Sequence, residues 1–122
     1  LPKTEVVIYC ETDGTAPFLE WFEKIPEKAQ DKIIVRLERL KELGHELRRP
    51  EADYLRDDIY ELRVKLQSVN YRVLYFFHGQ RMVVLSHGFS KQQARVPENE
   101  LQSAFRRRSA YLRSPSRHTL KE

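Results

Sequence analysis

The chain has a single cysteine, Cys10, among 122 residues. No disulfide can form within it, and a metal site built on several thiolates is excluded by count. A reducing cytoplasm is therefore the expected setting. Glycine is scarce as well, with four residues, and none belongs to a phosphate-cradling loop. No histidines pair at zinc spacing, no strand gathers carboxylates, and no nucleophile elbow is present. Long apolar runs are missing. The longest, Val73-Leu74-Tyr75-Phe76-Phe77 and Met82-Val83-Val84-Leu85, fall far short of a bilayer span. Leu1-Pro2-Lys3-Thr4-Glu5 has no apolar signal core. These absences predict a soluble, non-secreted protein with no membrane attachment and no implied cofactor.

What is present is one domain's worth of chain with an uneven charge. Residues 1–58 carry ten Lys/Arg against fourteen Asp/Glu, and residues 59–122 carry twelve against four. An asymmetry of this kind suits a second half that faces a polyanion or an acidic protein.

The pattern along the chain predicts an α+β fold. Glu5 to Cys10 is β-branched and aromatic and reads as a strand. Ala16 to Lys24, with Phe18, Leu19, Trp21 and Phe22, reads as a short amphipathic helix. Pro26 opens a second helix in which Ala29, Ile33, Leu37 and Leu40 share one face, and Gly44 stops it. Glu46 to Asp58 has no period, and Pro50 breaks helix, so a loop is expected there. Tyr60 to Gln67 then alternates apolar and polar without a miss. With Ser68-Val69 as a tight turn, Asn70 to His78 is the next strand. A hairpin at Gly79-Gln80 leads into Met82 to Phe89. Pro97 opens a last helix whose inward face holds Leu101, Ala104, Phe105, Arg108, Tyr111 and Leu112. The Arg106-Arg107-Arg108 run is split around that helix, with Arg108 placed to meet Asp57 or Asp58. The expected architecture is an antiparallel twisted sheet, an N-terminal strand plus a three-strand meander, with two N-terminal helices and one C-terminal helix. Residues 1–113 form the domain, and residues 114–122 are expected to be a flexible tail.

The alternation has a further consequence. With those turns, Lys65 lies opposite Arg72 and Arg72 opposite His87, so the three form one row on one sheet face, with Arg63 two residues away. Leu62, Val64, Leu66, Val73, Tyr75, Met82 and Val84 then share the opposite, core face. Like charges side by side are destabilising, and an anionic ligand would compensate them. Only even slips of register keep the charges out of the core. A second basic element, Lys91 to Arg95, follows the third meander strand. Together these groups suit metal-free cleavage of RNA. The substrate's own 2′-OH is the nucleophile, so the protein must position the strand, stabilise charge on the phosphate and move protons. Arg and Lys serve the first two needs, and a His or Lys the third.

Several segments also resemble a known family. Leu43-Gly44-His45-Glu46-Leu47-Arg48-Arg49-Pro50, Tyr54-Leu55-Arg56-Asp57 and Ile59-Tyr60-Glu61-Leu62-Arg63 are similar to the phage-derived, HigB-like branch of the RelE/ParE toxin superfamily. So are Tyr71-Arg72-Val73-Leu74-Tyr75 and His87-Gly88-Phe89 with Lys91 and Pro97. The resemblance runs from about Val6 to Leu112. It implies the toxin of a type II toxin–antitoxin system, which cleaves mRNA on the ribosome and is neutralised by a helix-turn-helix antitoxin, through which it associates indirectly with DNA. It also implies catalytic roles for Arg63, Lys65, Arg72 and Lys91. His87 is a further acid or base candidate, and Arg81 and Arg95 are candidate RNA contacts. The sequence departs from the family pattern at Gln92, where relatives often carry a second basic residue. Two other readings stay open: a ParE-like toxin that binds a protein such as gyrase without cleaving RNA, and a degenerate toxin that acts only in antitoxin-linked autoregulation.

Overall fold

The computed structural model describes residues 3–92 and 95–121. The chain runs β1 (Glu5–Ile8), α1 (Pro17–Phe22), α2 (Glu27–Leu43), a 3-10 turn at Gly44–Glu46, then β2 (Ala52–Arg56) and β3 (Ile59–Leu66). It continues with β4 (Val69–His78), β5 (Met82–Lys91), α3 (Glu98–Arg113) and a 3-10 turn at Pro115–Arg117. The α+β class and the three expected helices hold. The sheet differs in two respects from the expectation. It has five strands in the order β1-β5-β4-β3-β2, and β1 runs parallel to β5 while the other neighbours are antiparallel.

The added strand, β2, lies where a loop was expected. It pairs with β3 through a two-residue connection, Asp57-Asp58, with Arg56 opposite Ile59. Both aspartates have positive φ, 49° and 68°. Positive φ at both central positions is what a tight hairpin needs, and Asp tolerates it better than most residues. The strand escapes a period search because it is only five residues long and shifts register between Tyr54 and Arg56.

Both sheet faces are covered. Phe18 of α1 and Ala29, Ile33 and Leu40 of α2 pack on Leu62, Val64, Val73, Tyr75, Val83 and Leu85. Leu101, Ala104 and Tyr111 of α3 pack on Ile59, Leu74, Phe76, Val84 and Phe89. Strand β4 feeds both cores, which is why its run Val73-Leu74-Tyr75-Phe76-Phe77 is continuously apolar and does not alternate. Gly88 lets α1 approach β5 closely, since a Cβ there would stand 2.1 Å from the Trp21 ring. The Trp21 indole N–H donates to Ser90 Oγ at 2.9 Å, so the aromatic anchor of α1 is fixed on β5.

The segment expected as a flexible tail packs against the N-terminal edge instead. Cys10 N donates to His118 O at 2.9 Å, Leu120 N donates to Ile8 O at 2.8 Å, and Thr119 bridges to Tyr9. The His118 ring is buried, stacks on Tyr9 with centroids 5.1 Å apart, and has Nδ1 2.9 Å from Cys10 O. Of the arginine run, Arg108 meets Asp58 at 3.3 Å, as expected, and Arg107 meets Glu11 at 3.4 Å.

Candidate functional site

Two turns decide which side chains meet. Leu66 pairs with Val69, so the β3–β4 turn is Gln67-Ser68, one residue earlier than expected, with Gln67 at φ 57°. That moves the register by two. Arg63, not Lys65, lies opposite Arg72, and Lys65 lies opposite Asn70. The slip is even, so every side chain keeps its face.

The β4–β5 connection is longer than expected, with His78 opposite Met82. Ser86 is then an extra residue in a bulge, because Leu74 pairs with His87 and Tyr75 with Leu85. A bulge reverses the inward and outward sense of the strand. Val84 therefore joins the α3 core, while Val83 and Leu85 join the α1–α2 core. The expected single row becomes three rows across β3, β4 and β5. These are Lys65–Asn70–Lys91, Arg63–Arg72–Phe89 and Glu61–Leu74–His87. Lys65, Arg72 and His87 share a face but lie on a diagonal.

The residue missed by the sequence reading is Glu61. It is 2% exposed and lies between the two arginines. Its Oε2 accepts from Arg63 Nη1 at 2.8 Å, and its Oε1 is 3.1 Å from Arg72 Nε. The like charges on neighbouring strands are thus compensated first by a buried carboxylate. Burial pulls the Arg72 guanidinium below its ordinary value, and the Glu61 charge opposes that shift. The signal was available in the alternation, which puts Glu61 two residues before Arg63 on the same face.

Arg72 is buried, yet it floors a cleft of about 300 Å³ whose walls include Arg36, Pro50, Arg63, Lys65 and Asn70. Arg36 Nη1 donates to the Arg63 carbonyl and fixes this end of β3. Lys65 is exposed and its ammonium has no ion pair or hydrogen bond among the described residues. Lys91 flanks Asn70 from β5 and donates to the Arg95 carbonyl. Asn70 in turn donates to the Gln92 carbonyl at 3.2 Å. Four predicted residues, Arg63, Lys65, Arg72 and Lys91, therefore gather in neighbouring rows of β3, β4 and β5 near the β3–β4 turn.

His87 and Arg81 are not part of that gathering. His87 is buried, with Nδ1 2.9 Å from Ser86 Oγ and Nε2 3.0 Å from Glu100 Oε1. Both ring nitrogens are engaged, and the Nε2 contact ties α3 to β5. The hydrogen bond from His87 holds the Glu100 carboxyl below its usual range. Arg81 ends the β4–β5 hairpin, at the far end of the sheet. At about 3.3 Å per residue it lies roughly 25 Å from the Asn70 row.

Arg95 lies at a second cleft, of about 270 Å³, together with Arg49, Tyr54, Glu61 and Arg63. Arg56 borders it too but is committed elsewhere. Its Nη1 donates to Glu98 Oε1 at 2.9 Å, and its guanidinium holds the Glu98 carboxyl down at about 2. Among the described residues no three His, Cys, Asp or Glu side chains gather as metal ligands, and no helix is long and apolar enough to cross a membrane.

Fold and site together define a class: a small α+β domain that presents Arg and Lys at the open end of an antiparallel meander. The chain belongs to the family described as phage-derived protein Gp49-like, whose model matches residues 20–109. It is also 32% identical over 105 residues to the probable endoribonuclease HigB1 of Mycobacterium tuberculosis, in strains CDC 1551 / Oshkosh and ATCC 25618 / H37Rv. That match covers 86% of this chain and 82% of the relative. The HigB-like resemblance read from the residues is borne out.

Proposed function

We propose that this chain is the toxin of a type II toxin–antitoxin pair and acts as a metal-independent endoribonuclease on mRNA, engaged at the ribosome in the cytoplasm. The observation that carries the reading is the cleft lined by Arg63 and Arg72, the two arginines that Glu61 holds, with Lys65, whose ammonium has no partner among the described residues, at its rim. The relatives' printed name, endoribonuclease, agrees with it. In this mechanism the 2′-oxygen of one nucleotide bonds to the adjacent phosphorus and the P–O5′ bond breaks. The products are a 2′,3′-cyclic phosphate and a 5′-hydroxyl. Arg72 and Arg63 stabilise the charge on the phosphate. Lys65 binds the backbone and assists proton transfer, and Lys91 completes the anion site. His87 is assigned to holding α3 on the sheet and is left out of the chemistry. A helix-turn-helix antitoxin neutralises the toxin and links it indirectly to DNA.

The test is primer extension on cellular mRNA after brief induction. Wild type yields discrete new 5′ ends and Lys65→Ala yields few. Arg72→Ala yields none, but it also strands the buried Glu61 charge, so Lys65→Ala, at an exposed position, separates chemistry from folding. Growth arrest with intact mRNA would overturn the ribonuclease reading in favour of a protein target such as gyrase. Folded protein without arrest would point to a copy that acts only in autoregulation, in line with the departure at Gln92.

A further inference from the structure

The Arg48–Arg49 and Tyr54 segments carry part of the family resemblance but take no part in the phosphate chemistry above. They line a cleft of about 410 Å³ at the free edge of the sheet, with His45 and Tyr60. The walls are aromatic and held in place. Tyr54 is 49% exposed, its ring meets Tyr60 at 5.0 Å and 71°, and its hydroxyl accepts the Asp58 N–H at 3.1 Å. His45 is exposed on one side and stacks on Phe77 on the other, with centroids 3.5 Å apart. At the rim, the Arg48 side chain has no partner among the described residues, and Arg49 makes only an exposed pair with Asp53.

This cleft is continuous with the phosphate site. Arg49, Asp53 and Tyr54 line both it and the second cleft, and Arg63 lines both the second cleft and the one floored by Arg72. The groove therefore passes over the β2 edge from a basic floor to an aromatic pocket with a basic rim. A flat π surface beside a cationic track is the chemistry that holds an unpaired base of a single strand, since every base has a π face while only the backbone is anionic.

We propose that the His45–Tyr54 cleft is a nucleobase-binding subsite for single-stranded RNA whose backbone runs along Arg49 to Arg63; this rests on the ribonuclease reading. The ligand is one unstacked base beyond the scissile phosphate, held by stacking on Tyr54 and by the Arg48 guanidinium.

The probes are a fluorescent, unstructured RNA of about ten nucleotides and an abasic ribose-phosphate strand of the same length, bound to the full chain and read by anisotropy. Wild type binds the RNA more tightly than the abasic strand. Tyr54→Ala weakens RNA binding about tenfold and leaves abasic binding unchanged. Tyr54→Phe, which keeps the ring and loses the Asp58 contact, retains RNA binding. Lys65→Ala weakens both probes alike. Equal losses for Tyr54→Ala and Tyr54→Phe would mean that the turn and not the ring is responsible, and would overturn the inference. Unchanged RNA binding in Tyr54→Ala would overturn it as well, including the case in which that variant loses only antitoxin binding. If wild type binds neither probe yet makes new 5′ ends in cells, the inference fails and the ribonuclease reading stands. If it does neither, both fail.

Discussion

Glu61 is the side chain on which the site's stability turns. A buried carboxylate between two guanidiniums is costly to leave half-made, because removing one partner strands charge in a poorly solvated place. Glu61→Leu is expected to cost about 3–5 kcal/mol in urea unfolding, and Arg72→Leu a comparable amount. The double variant should cost much less than their sum, since replacing a whole buried pair by apolar groups is often near neutral. Additive losses would show that the two residues do not act as a pair. The Glu100–His87 contact makes a separate prediction in acid. The native carboxyl of Glu100 is depressed below 4.5, chiefly by the hydrogen bond from His87. Its contribution is therefore present above the unfolded value and is lost as pH falls through the lower native value. Glu100→Gln should flatten the acid limb of the stability profile, as pH falls below the ordinary carboxyl range and through the lower native value. An unchanged acid limb would show that this pair is not the source.

The elements depend on a few backbone and packing constraints. The β2–β3 hairpin requires positive φ at Asp57 and Asp58. A β-branched residue fits that region poorly, so Asp57→Val should lower stability by about 1–2 kcal/mol, seen as a lower urea midpoint with an unchanged slope. Asp57 is the safer position to test, because its side chain makes only an exposed 3.7 Å pair with the adjacent Arg56, whereas Asp58 pairs with Arg108 of α3. At Gly88 the constraint is space. A methyl group there meets the Trp21 ring, and relieving the overlap should cost about 1–3 kcal/mol. Trp21 is the only tryptophan, so Gly88→Ala should also change the native fluorescence. An unaltered spectrum and stability would mean that α1 yields without penalty. Strand β3 was legible in the sequence because alternation reports a half-buried face directly, and β4 and β5 because short apolar runs bounded by turn residues read as buried strands. Strand β2 was not, because its pairing is recorded only in the turn chemistry of Asp57-Asp58.

For the molecule as a whole, the C-terminal segment closes the β1 edge. The backbone contacts of Cys10 with His118 and of Ile8 with Leu120 occupy groups that would otherwise face solvent. Truncation after Ser114 should expose the Cys10 thiol, buried in the intact chain, and speed its reaction with a disulfide reagent. Unchanged thiol reactivity would show that the segment does not cover this edge. At the same scale, binding to RNA should weaken with salt through counterion release, and Lys65→Ala should reduce the slope of log affinity on log salt by about one. A salt-independent complex would leave the basic cleft without its proposed partner.

The sequence by itself determined the α+β class, the three meander strands, the family, and the sheet face that carries Arg63, Lys65 and Arg72. Periodicity and turn residues suffice for the elements and the face, because the face of a residue follows from its parity along a strand; the family rested on the resemblance of particular segments. Tertiary structure decided which of those residues meet. Register depends on turn length and on bulges, and a turn one residue earlier put Arg63 in the place expected for Lys65. The extra residue Ser86 displaced His87 from the row and gave its ring to Glu100. Only packing could reveal that the charge opposite the arginines is supplied first by the protein's own Glu61, since burial depends on which helices cover which end of the sheet.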